Sequence, residues 1–293
     1  MPRFTLQSRL DDMLRQQLQD GGAKADDFLL PPGEPALVGS DSISWIVFSN
    51  LATMTIGGIA AVILELAEPK IRAGVWDYTS FRTDPLRRMQ RTAAAAMITV
   101  YAAESRATKM IEGVRRMHDK VRGTTSDGQP YHANDPELLR WVHATAAFGF
   151  LEAYHQFVRP VSQADRDLYF SEGVKVAKLY GADEPPTNEA AWEATVESML
   201  PRLEPSPILT EFLEIMHRLP LFPKPLRSLN GTLVGAAIDI LPPSVRERLK
   251  LPKGSGLPGG RTLLKLAARK METIELESSA RRQARIRLGL TGA

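Results

Sequence analysis

The sequence predicts an all-α fold, built as one multi-helix domain. Three observations point there. Helix formers (Ala, Leu, Arg, Glu and Met) are abundant, and the β-branched alternation of strands is scarce. Apolar residues recur at three- and four-residue spacing in the longer segments. Asp84–Pro85 and Asp135–Pro136 mark helix starts, each an acidic cap followed by a proline suited to the first turn. The chain has 293 residues, 43% hydrophobic and 24% charged, which is enough for one large core or two small ones.

The elements follow in order. Residues 5–20 read as a short polar helix, and GGAKADDFLLPPGEP as a loop. The stretch 42–69, SISWIVFSNLATMTIGGIAAVILELAEP, is the most apolar in the chain. Roughly 20 apolar residues suffice to span a bilayer. Ser44, Asn50, the central glycines and Glu65 instead favour a buried core helix, or two helices broken near Ser49–Asn50. After Pro69, KIRAGVWDYTSFRTDP reads as a loop. Helices follow over 85–102, 104–122 and 135–158, with the turn-rich GTTSDGQPYHAN between the last two. Further helices are expected over 163–181, 187–200, 206–217 and 227–241, with a Pro-rich irregular crossing at 220–230. LPKGSGLPGG is a linker, and the last 33 residues, with eight Lys/Arg and three Glu, read as one amphipathic basic helix. The expected division is 1–40 as N-terminal helix and loop, 41–251 as the helical body, and 252–293 as linker and basic C-terminal helix.

Composition removes several chemistries. The chain has no cysteine, which excludes disulfides, thiolate metal ligands, cysteine nucleophiles and covalently attached haem. A net charge of +3 gives no argument for a nucleic-acid partner. The first residues carry acidic side chains and no apolar run of the secretory type, so a cytoplasmic location is expected. The basic tail reads as a solvated packing helix, with peripheral membrane contact as the other reading. No Gly-x-Ser-x-Gly elbow, phosphate loop or paired catalytic carboxylates stand out.

Three helices carry the candidate site. On 104–122, Met110, Ile111, Val114, Met117 and Val121 form an apolar stripe, and His118 falls inside it. The charges of GVRRMHDKVRG lie on the other face, so His118 points inward. On 135–158, His143 follows Leu139 by four residues, inside the stripe of Leu138, Leu139, Val142, Ala146 and Phe150. Each histidine also suits a core imidazole bonded to backbone, and the pair has no zinc spacing. On 87–103, Arg88 and Thr92 share a face with Arg91 beside it, and four alanines, 93–96, make the helix thin enough for close approach. Burying these arginines demands an anionic partner: Glu65, Glu68, Asp77 or Asp84, or equally a cofactor's carboxylates or an oxygen-derived ligand.

Taken in order, GGIAAVILELAEP, AGVWDYTSFRTDPLRRMQRT, VRRMHDKVRG, YHANDPELLRWVHAT and LPPSVRERL resemble the MpaB-type oxygenases, the family that includes the catalytic domain of latex clearing protein. The resemblance runs from about Ser44 to about Leu251. It implies an all-helical fold, distantly globin-like, enclosing a non-covalent b-type haem (heme b). It places the iron's axial ligand at His118, with His143 the competing choice, and functional roles at Arg88, Arg91 and Thr92. Two departures stand out. Arg91 occupies a position where the latex clearing branch has an iron-ligating lysine, and an arginine does not deprotonate to ligate. Glu68–Pro69 stands where many members have His-Pro. The implied function is oxygenation of a small apolar, unsaturated substrate by dioxygen. The alternative is a non-enzymatic helical binder of haem or another hydrophobic ligand.

Overall fold

The structure is a computed structural model that describes residues 6–24, 26–221, 229–254 and 256–290. These residues form α-helices α1 to α15, one short 3-10 turn and a two-stranded hairpin. The Pro-rich crossing expected at 220–230 falls mostly on 222–228, outside the described residues.

The centre of the molecule is α4 (Leu51–Ala67), the apolar heart of the 42–69 stretch. The break before it is at Asn50. Its side-chain oxygen accepts from the amides of Ala52 and Thr53, and its Nδ2 donates to Ala268 O at 2.8 Å. The segment before it is the short α3 (Ile43–Val47), capped by Ser42. Along α4, Ile56, Ile59, Ile63, Leu64 and Leu66 are fully buried. Its main partner is α8 (Pro136–Phe157), and the two backbones nearly touch. A methyl group on Gly57 would lie 2.5 Å from Gly149 O, so this crossing needs glycine on both helices.

The loop expected after Pro69 is instead helix α5 (Pro69–Tyr78). Pro69 opens its first turn, and the buried Glu68 caps it by accepting from Ile71 N at 2.8 Å. Glu68 also pairs with Arg202 at 2.7 Å. Helices α4 and α5 together have the length and composition of a membrane span but meet at 111°, and no single helix among the described residues is long and apolar enough to cross a membrane.

Asp84 and Pro85 start α6 (Pro85–Tyr101), and α7 (Glu104–His118) follows after two residues. Part of the expected turn-rich loop is a hairpin, β1 (Arg122–Thr124) with β2 (Pro130–His132). It leads into α8, capped by Asp135 through the amides of Glu137 and Leu138. Beyond lie α9 (Gln163–Tyr180), α10 (Glu189–Met199), α11 (Pro207–Arg218), α12 (Leu229–Asp239) and α13 (Pro243–Arg248).

The ends of the chain also depart from expectation. The first loop contains α2 (Asp26–Leu29), where Phe28 is buried. The final 33 residues form two helices, α14 (Gly260–Glu272) and α15 (Ala280–Arg287). Leu264, Ala268, Ala280 and Ala284 join the main core. Arg287 reaches inward and donates to the carbonyls of Phe28, Glu34 and Tyr101 at 2.8–2.9 Å. Ser278 ties this end to α1 (Leu6–Asp20), bonding Asp11 through its amide and hydroxyl.

Candidate functional site

The inward face of α7 carries Ala107 and Ile111, fully buried, then Val114 and His118, half-buried. Met117, expected in that stripe, is 61% exposed, because α7 ends at His118 and nothing packs over its last turn on that side. The His118 Nδ1 atom is buried and has no hydrogen-bond partner. Burial holds the His118 pKa below the ordinary histidine value. The neighbouring Asn134 side chain pulls it back up, and the Arg88 charge pushes it further down. Asn134 is anchored by its Nδ2, which donates to Arg115 O at 3.0 Å and Asp119 Oδ1 at 2.7 Å.

Arg88 lies on α6, half-buried, with its guanidinium carbon 5.3 Å from the Phe81 ring centre. The carboxyl that acts on it through its charge is Glu65 of α4, one of the four carboxylates available in the sequence. Burial pushes the Glu65 carboxyl up to about 7, against the opposing pull of the Arg88 charge and the Thr145 hydroxyl. Burial lowers the pKa of Arg88 in turn, while Glu65 raises it. The Arg88 Nε atom is buried without a partner. Thr92, one turn on, accepts from the Arg88 guanidinium and donates to Arg88 O at 3.0 Å, so it fixes the arginine's direction. Arg91 is exposed and acts on Arg88 through its charge.

Residues from four helices are thus linked into one polar cluster through Arg88 and Glu65: the Arg88 charge acts on both Glu65 and His118, and the Thr145 hydroxyl acts on Glu65. In the sequence Glu65 stands only as one of four carboxylates open to Arg88, with no functional role of its own. Its signal was present: it is the sole charged residue of the 17-residue apolar α4.

His143 belongs elsewhere. It sits on α8 two positions from Thr145, so the side chains point about 200° apart around the axis. Its ring packs on α9, where a methyl group on Gly173 would meet Nε2 at 3.0 Å. Burial alone lowers its pKa to about 4. The remaining histidines are peripheral to the cluster or structural. His132 in β2 acts on His118 by charge, His155 Nδ1 accepts from Val161 N at 3.0 Å, and His217 is exposed. Trp141 is buried, donates to Leu64 O at 3.2 Å and stacks on Trp192. Of the alanine run, Ala94 receives the Gly21 turn at the end of α1, while Ala93, Ala95 and Ala96 stay half-buried. A polar surface hollow of about 380 Å³ lies apart, between α1 and α6, lined by Gln19, Asp20, Asp84, Leu86, Arg87 and Gln90.

Comparison with protein families matches residues 45–287 to "ER-bound oxygenase mpaB/B'/Rubber oxygenase, catalytic domain". The chain belongs to this family. The match to the oxygenase domain begins in α3, ends in α15 and contains every residue of the polar cluster. No curated protein and no solved structure matches the chain significantly. Membership of the oxygenase family implies a substrate and dioxygen as partners. The departure at Glu68 has a local explanation, since its carboxylate caps α5 and pairs with Arg202.

The cluster's donor set suits a haem. Among the described residues no group of three or more His, Asp or Glu converges as a metal-ion site. A haem iron requires less, because the porphyrin supplies four ligands and the protein one axial side chain. The half-buried His118 could be that side chain, and the Arg88 Nε without a partner could meet an anionic edge. The face of α4 leading to Glu65, through Leu51, Thr55, Gly58 and Val62, is only half-buried in an otherwise enclosed helix. Protein side chains therefore cover this face incompletely.

Proposed function

We propose that the protein is an oxygenase that holds a non-covalent b-type haem and acts on a small apolar, unsaturated substrate. The observation that carries this reading is the buried, unpartnered Nδ1 of His118 within reach of the Arg88 charge, which also acts on Glu65, in a chain of the oxygenase family. His118 would hold the iron as its axial ligand, and Arg88 and Arg91 would meet the haem's carboxylates. When bound, the haem supplies the oxygen chemistry, and the protein binds and orients.

The residues around it have definable tasks. Arg88, directed by Thr92, offers a buried donor that protein atoms leave unused. Glu65, with its pKa raised to about 7, takes up and gives back a proton near neutrality, where an ordinary carboxylate would stay ionised. Arg91 carries a fixed charge and cannot deprotonate to ligate, so beside a bound haem it would supply charge and not a metal ligand. The half-buried Val62, Gly58 and Thr55 on α4 and Ala95 and Ala96 on α6 would supply apolar walls for a hydrocarbon.

Oxygen uptake tests the reading. Haem-loaded protein is expected to consume oxygen with at least one member of a panel of isoprenoids and unsaturated lipids. Glu65→Gln should retain haem and lose turnover about 10²–10⁴-fold, the usual contribution of a general acid–base. Haem binding with no oxygen uptake across the panel would favour the non-enzymatic binder instead.

A further inference from the structure

His118 has a neighbour whose geometry is unusually constrained. The Asn134 amide cannot turn over, because its Nδ2 already donates to Arg115 O at 3.0 Å and Asp119 Oδ1 at 2.7 Å. A flipped amide would set its oxygen against two acceptors. Asn134 Oδ1 is therefore the atom left to face other groups, and it is buried with no hydrogen-bond partner. The His118 Nδ1 atom is also buried with no partner. The Asn134 and His118 side chains are neighbours, and Asn134 favours the charged imidazole. Each of these two neighbouring side chains thus carries a buried polar atom that no other protein group satisfies.

We propose that Asn134 is a positioning residue: its Oδ1 accepts the Nδ1–H of His118, fixes that tautomer and leaves the Nε2 lone pair for iron. This deepens the haem reading above and rests on it. A free neutral imidazole prefers its proton on Nε2, so an acceptor at Nδ1 is what turns the ring into a ligand through Nε2. Partners of this kind orient a ligating histidine and raise its basicity.

The hairpin gains a reason from this. Arg122 pairs with His132 and Thr124 with Pro130. Ala133 N then donates to Val121 O at 2.9 Å. The chain is thereby folded back so that Asn134 reaches the last turn of α7 just before Asp135 starts α8. A three-residue pairing thus links the ligand helix to its second partner.

The test uses the full chain and two readouts. In the haem-free protein, long-range proton–nitrogen spectra of ¹⁵N-histidine-labelled samples at alkaline pH report the His118 tautomer. The wild type is expected to carry the proton on Nδ1, and Asn134→Leu to shift it to Nε2. In the haem-loaded protein, Asn134→Leu should weaken haem binding about 10–100-fold, the usual effect of losing such a partner.

Asn134→Asp combined with Asp119→Asn keeps an acceptor toward His118 and a bond between the two side chains, but loses the bond to Arg115 O. This pair should restore both the tautomer and the affinity to within a few-fold. A wild-type proton on Nε2, or a Leu variant with unchanged tautomer, would overturn the proposal. So would a double variant that behaves like Leu, since the role would then lie in the bond to Arg115. If the wild type binds no haem, the functional reading falls, and the tautomer still decides whether the bond to Asn134 exists.

Discussion

Glu65 and His143 are both half-buried groups that burial drives toward their neutral forms, and their effects on stability have opposite signs. Glu65 rises to about 7 in the folded chain, from 4.5. Between those values the folded state holds a proton that the unfolded state has released, so stability falls as pH rises through that window. His143 drops to about 4 from 6.5. Between those values the unfolded state binds the extra proton, so stability is present above the window and falls as pH drops through it. Each slope approaches about 1.4 kcal/mol per pH unit, and they oppose one another over most of the range. Urea unfolding of the haem-free chain should therefore show His143→Leu falling in stability from pH 5 to pH 6.5 relative to wild type, and Glu65→Gln rising. Parallel profiles for all three proteins would contradict both assignments. A further check is Arg88→Met: without the guanidinium that opposes burial, Glu65 should titrate above its wild-type value in carboxyl ¹³C spectra. At this scale His118 was legible, because helical period separates it from the charges of its own segment. Glu65 was legible only as one of four carboxylates open to Arg88, because the choice among them depends on which residues reach it from α6 and α8.

The elements that sequence displays best are those with caps. Asp84–Pro85 and Asp135–Pro136 start α6 and α8 as their order of residues implies, and Asn50 breaks the apolar stretch by serving as a cap. Helix α5 escaped notice because its ten residues make a stripe too short to read, and because its cap, Glu68, looks like the end of α4. The hairpin escaped because its strands are three residues each and owe their pairing to α5, against which they pack. The α4–α8 crossing offers a sharp test, since adjacent glycines have opposite requirements. Gly57 faces the backbone of Gly149, whereas a methyl on Gly58 meets only Phe150 Cε1, at 3.8 Å. Gly57→Ala should lower the unfolding free energy by about 1–3 kcal/mol. Gly58→Ala should be neutral or raise it by about 0.5–1 kcal/mol through helix propensity. Equal urea midpoints for the two variants would mean that the helices are farther apart than described.

In the whole molecule, the fold class follows from composition and period, but the closure of the chain on itself does not. The basic C-terminal segment reads in sequence as one solvated packing helix because its charges dominate the count. Its few apolar residues, Leu264, Ala268, Ala280 and Ala284, are nevertheless placed in the core, and Arg287 and Ser278 bind the N-terminal segments. A chain ending at Leu251 should therefore lose its cooperative thermal transition by calorimetry. An unchanged transition would show that the tail is dispensable.

The chain belongs to an oxygenase family, and the proposed haem site is the cluster of Glu65, Arg88 and His118. The most direct measurement of that claim is the visible absorption spectrum of the full chain supplied with haem, recorded for wild type, His118→Ala and His143→Ala. The account predicts a Soret band in wild type and His143→Ala that is lost or strongly shifted in His118→Ala. A band unchanged in His118→Ala, or absent from wild type, would contradict it.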